Sequence, residues 1–127
     1  MQALAHRAYG NVQQRTAGDD QIEIAIIKQI TAELENVDGN KETGPADLAD
    51  AVSRNLQMWT IFATDLADPG NSAPDQAKAS LISIAGYVHR ESRKILAGDG
   101  SITDLIDVNR NLLTSLTAST PSNEVAA

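Results

Sequence analysis

Leu48-Ala-Asp-Ala-Val-Ser-Arg-Asn-Leu-Gln-Met-Trp-Thr-Ile-Phe-Ala-Thr-Asp-Leu66 is the stretch whose reading decides the fold. At steps of four and three, Leu48, Val52, Asn55, Trp59, Phe62 and Leu66 share one face of a helix. That face carries the only Trp and the only Phe of the chain, one turn apart. Asn55 is the single polar residue set into it. The device returns between Ile102 and Leu116, where Asn109 lies in line with Ile102, Leu105, Leu112 and Leu116. A buried Asn must find hydrogen-bond partners, so two of them on facing helices would fix register at some cost in stability.

Working outward, the remaining segments also read as helices. Gln2 to Gln14 is predicted as a short N-terminal helix with Leu4, Ala5, Ala8, Tyr9 and Val12 as a modest apolar stripe, weakened by Gly10. Thr16 is placed as an N-cap, with Asp19 and Asp20 in the first turn, and the next helix runs to about Asn36. There Ile22, Ile26, Ile30 and Leu34 line one flank, and Ala25 and Ile27 widen the apolar arc. Residues 37–44 form a loop by composition. Pro45 suits the first position of the central helix, which stops at Asp68-Pro69-Gly70. Ser72, Pro74 and Asp75 mark the fourth start, and that helix, to about Leu96, is expected to bury Leu81, Ile84, Ala85, Val88 and Ile95. Gly86 inside it implies a close approach by a neighbour. Gly98 ends it, and Ser101 with Asp104 opens the last helix, to about Thr117. Residues 118–127 have nothing to bury and are expected to lack fixed structure. No segment alternates strictly, so no strand is predicted.

The fold expected is therefore all-α: one domain, residues 1–117, built as an antiparallel-type bundle of four main helices plus a short N-terminal one. A chain of 127 residues with 42% apolar content suits one soluble core. Cysteine is absent, which excludes disulfides and thiolate metal sites. No apolar run approaches the roughly 18–20 residues of a membrane span, and the start lacks a secretory pattern, so a cytoplasmic location is expected. Net charge is −7; residues 1–53 hold nine acids against four bases. The one basic cluster, Arg90, Arg93 and Lys94, falls in the last turns of a helix, where cations complement the dipole. Nucleic acid is not expected as a partner of so acidic a chain.

Signatures of catalysis are weak. His6 and His89 lack the helical partner a zinc site needs, and Asp38-Gly-Asn40-Lys-Glu42 begins like a calcium loop but places Thr43 where Gly is required. Gly98-Asp-Gly-Ser101 follows no strand and carries no phosphate-binding Lys. The reading is a protein that is not an enzyme and holds no metal or cofactor. For Trp59 and Phe62 the first expectation is a place in the core. Apolar character on several sides of the second helix, with Ile24 and Ile27 off the Ile22–Ile26–Ile30 line, suggests a groove for a partner helix. Asp19, Asp20, Glu23, Glu33 and Glu35 would form its rim. Tyr9, Ile24, Ile27, Trp59 and Phe62 are the residues expected to meet that partner; the competing expectation is that the N-terminal helix, through Leu4, Ala8 and Tyr9, covers that flank and leaves no groove.

Asn55-x-x-x-Trp59-Thr-Ile-Phe62, Asn71-x-x-Pro74, Leu81-Ile-Ser-Ile-Ala85 and Leu105-Ile-Asp-Val-Asn109-Arg110, with Ala8-Tyr9-Gly10 before them, resemble the FlaF family of bacterial flagellar proteins. The likeness spans Tyr9 to Leu116 in order and spacing, and departs at Ala73 and Ser115, where the family usually has Leu and Gly. The resemblance implies a non-enzymatic flagellum-biogenesis protein that promotes flagellin synthesis and secretion by chaperone-like binding of flagellin. It also implies action alongside FlbT, which leaves open a role at flagellin messenger RNA, directly or through FlbT.

Overall fold

A computed structural model describes residues 17–40 and 42–118, with side chains from residue 21 onward. Four helices follow one another: α1 Ala17–Gly39, α2 Pro45–Ala67, α3 Asp75–Leu96 and α4 Ile102–Ala118. No strand occurs among the described residues. The connections are short, so successive helices lie antiparallel. Neighbours form a ring in which α1 sits beside α2 and α4, α3 packs most extensively on α2, and α3 and α4 touch least. The predicted N-terminal helix, Thr16 and the tail from residue 119 lie outside the described residues.

The central helix buries the face its spacing defines. Val52, Asn55 and Trp59 are buried, as are Ala51 and Met58 beside them, while Leu48, Phe62 and Leu66 are half-buried at the ends. Gly44 precedes it and Pro45 occupies its first turn, where a missing N–H costs nothing. In α4, Leu105, Ile106 and Asn109 are buried, and Ile102, Leu112 and Leu116 are half-buried.

Two expectations change on α1. The helix continues to Gly39, three residues past Asn36, because Val37 still packs against the core. Its inward face is also rotated. Ile24, Ile27, Ile30, Thr31 and Leu34 are buried, whereas Ile22 is 49% exposed. The flanking acids explain the rotation. Glu33 pairs with Arg54 of α2 at 2.7 Å, and Glu35 pairs with Arg110 of α4. Leu34 lies between these carboxylates, so the face it shares with Ile27 is the one turned into the bundle.

Glycines mark the α3–α4 turn. Gly98 and Gly100 have φ of 93° and 100°, a region that side-chain-bearing residues rarely adopt. At Gly100 there is also no space, since a Cβ would fall 2.9 Å from Glu91 Oε2 and 3.0 Å from Lys94 Cβ. Glu91, buried on α3, accepts the Ser101 N–H at 2.6 Å, so an acid from the preceding helix satisfies the entry to α4.

Candidate interaction site: a polar core and an open groove

The three polar groups at the centre form one chain. Trp59 Nε1 donates to Asn109 Oδ1 at 2.9 Å, and Asn109 Nδ2 donates to Asn55 Oδ1 at 2.8 Å. Both asparagines are fully buried and Trp59 is 1% exposed. Asn55 and Trp59 stand on α2 and Asn109 on α4, helices that face each other across the bundle. The relay therefore ties the diagonal pair through the middle of the core. The Trp59 ring meets Phe62 edge-on, with centroids 5.6 Å apart and planes at 85°. Asn55 Nδ2 and Ser92 Oγ are buried without a hydrogen-bond partner, a cost the core carries beside the relay.

On the side where α3 and α4 separate, an open groove of about 580 Å³ runs between them. Leu81, Ile84 and Tyr87 form its α3 wall, Val108, Leu112 and Leu116 its α4 wall, and Trp59 reaches its floor. Ile84 is 37% exposed, which corrects its expected burial. The reason is geometric. Ala85, Val88 and Ile95 occupy the buried α3 stripe, and Ile84 falls on a second stripe, with Leu81 and Tyr87, that faces the gap toward α4 and is only partly covered. Ile82 is exposed as well.

One charged side chain lines the groove, Arg90. It has no acidic partner among the described residues. Its Nη1 lies 3.3 Å from where a Cβ on Gly86 would stand. The neighbour that Gly86 accommodates is thus a guanidinium of its own helix, not another backbone. At the far edge, the Tyr87 hydroxyl is 3.4 Å from Asp104 Oδ2. Desolvation, then the charges of Asp104 and Glu91 and that hydrogen bond, push the Tyr87 phenol above its usual value.

The structure redistributes the residues expected to meet a partner. Ile24 and Ile27 are 7% and 0% exposed, so these two side chains of α1 belong to the core. Of its expected acidic rim, Glu23 is buried, Glu33 and Glu35 tie α1 to its neighbours, and the Asp19 and Asp20 side chains lie outside those described. Trp59 belongs to the core relay, Phe62 is half-buried against the core, and Tyr9 lies outside the described residues. The groove side chains Ile84, Arg90 and Leu112 were not singled out for binding. A signal was present in Ala77, Ser80-Leu81, Ile84 and Tyr87, which repeat at helical spacing beside the Ala85–Val88–Ile95 stripe.

Among the described residues no cluster of His, Cys, Asp or Glu has the makings of a metal site, and no helix is long and apolar enough to cross a membrane. The fold and this site define an all-α bundle with a polar relay at its centre and an apolar groove along one seam. The family model for flagellar protein FlaF matches residues 5–116, and the chain belongs to that family. No curated protein and no solved structure matches the chain.

Proposed function

We propose that this flagellar protein is a non-enzymatic, cytoplasmic factor that promotes flagellin synthesis and secretion by chaperone-like binding of flagellin. The observation that carries this reading is the open apolar groove between α3 and α4, an exposed apolar surface of the kind that takes an amphipathic helix. Membership of the FlaF family directs the reading toward the flagellum. Charge supports a protein client over RNA: the chain is −7 overall and has four aromatic rings, against the basic, aromatic-rich surfaces that bind RNA. FlbT is the second partner proposed, acting with this protein at the level of flagellin production.

Calorimetric titration of the full chain with monomeric flagellin tests the proposal. Saturable binding with a negative heat-capacity change is expected, as apolar surface is removed from water. Absence of binding, together with a changed rate of flagellin translation on depletion of the protein, would move the function to the messenger-RNA route.

A further inference from the structure

The groove has features that specify its occupant beyond being apolar. Its α3 wall extends from Ala77 to Arg90, about 20 Å of helix at 1.5 Å per residue. The residues lining that wall recur at steps of three and four, and so do those of the α4 wall. Two helical stripes facing one slot are the surface that a third helix packs into, ridge into groove. Ala77, Ser80, Ser83 and Ser115 edge the slot with small side chains, which let a partner backbone come close.

The single cation supplies polarity. Arg90 is the only charged residue in the lining, stands at one end of the slot, and pairs with no acid among the described residues. Two other arginines on this bundle, Arg54 and Arg110, are each held by a glutamate of α1, and Arg93 of α3 does not line the groove. Gly86 leaves room for the guanidinium to lie along α3, beside the groove it lines. A guanidinium beside apolar walls favours a carboxylate that meets it with charge-assisted hydrogen bonds.

From this juxtaposition we infer that the α3/α4 groove takes one amphipathic helix of the client, with its apolar stripe between Leu81–Ile84 and Val108–Leu112 and an acidic residue at one end paired with Arg90. The inference rests on the reading of flagellin as the client and adds where and in which orientation it docks. Arg90 fixes the direction of the bound helix, and the apolar walls supply most of the affinity.

Three variants of the full chain decide it, each titrated with monomeric flagellin at low and high salt. Ile84→Asp places a charge on the exposed wall and is expected to weaken binding by about tenfold or more. Arg90→Glu is expected to weaken it several-fold at low salt, with the deficit shrinking as salt screens the repulsion. Ile22→Asp alters an isoleucine that is more exposed than Ile84 but lies on α1 outside the groove, and it should bind like the wild type. Circular dichroism confirms that each variant keeps its helices. Wild-type binding left intact by both I84D and R90E overturns this docking and leaves the flagellin reading standing. No binding by the wild type overturns the flagellin reading itself. Sedimentation that reveals a dimer abolished by I84D would also overturn the docking, with a second copy of this chain as the occupant.

Discussion

Two of the contacts that α4 makes in this bundle are built in opposite ways. Toward α2 it reaches across the centre by an unbroken hydrogen-bonded chain, Trp59 to Asn109 to Asn55, with every member buried. Toward α3 it stands apart, held at the turn by Glu91 and Tyr87, with an apolar slot left between the walls. A polar relay inside a core makes sliding expensive, because a one-turn slip strands three polar groups at once. An apolar slot strands no polar group when its occupant slides, so only the cation at its end, Arg90, marks a direction along it. One helix therefore has its register fixed on one side and a free surface on the other. The difference teaches that specificity and availability occupy separate faces here.

Four predictions, resting on six substitutions, break or sharpen that contrast. The largest effect is expected from Ile27→Ala, which empties a fully buried core site on α1 and should cost about 2–5 kcal/mol by chemical denaturation, whereas Ile84→Ala on the groove wall should cost well under ~1 kcal/mol. Equal losses at the two sites would mean the groove is as closed as the core. Next comes Asn109→Ala. It strands the Trp59 N–H and the Asn55 carbonyl together, so roughly 2–4 kcal/mol should be lost, more than for Asn55→Ala, which strands only the Asn109 amide group. A reversed order would show that the relay is not centred on Asn109.

A smaller shift is expected from Arg54→Ala. The guanidinium is held above its already high pKa mainly by the hydrogen bond from its nitrogen to Glu33, yet the pair is solvent-exposed. The loss in midpoint should fade with added salt, and a salt-independent loss would argue for packing by the arginine stem instead. Smallest is the alkaline limb at Tyr87. Its phenol is raised in the folded state, so the neutral form is favoured there. The stability this contributes is fully present below the ordinary value of 10.0 and is lost as pH rises through the folded value. Tyr87→Phe should flatten that decline, and an unchanged slope would remove Tyr87 from the account.

How far the sequence reveals this arrangement differs from helix to helix. α2 was legible because its apolar residues fall on one line and its ends carry Pro45 and Asp68-Pro69-Gly70. The pairing of Asn55 with Asn109 followed from equal placement in two stripes, but the part played by the indole did not, since a Trp N–H reaching 50 residues along the chain leaves no local pattern. α1 is harder to read because seven Ile, Leu and Val side chains surround it, and periodicity alone cannot choose among faces when most are apolar. The choice was made by Glu33 and Glu35, whose partners Arg54 and Arg110 are remote in sequence. α3 poses the opposite difficulty. Its apolar residues form two stripes, and only the positions of the neighbouring helices tell which one is covered.

The indole at the end of the relay also makes the protein its own spectroscopic gauge. Trp59 is the sole tryptophan, and its N–H proton is tied to a side chain on a different helix. One resonance in a proton–nitrogen spectrum therefore stands for the seating of α4 on the rest of the bundle. Its exchange with heavy water measures the free energy needed to lift that helix away, separately from the opening of the backbone amides. Followed during a titration, that single signal distinguishes a ligand that settles beside α4 from one that pries it loose.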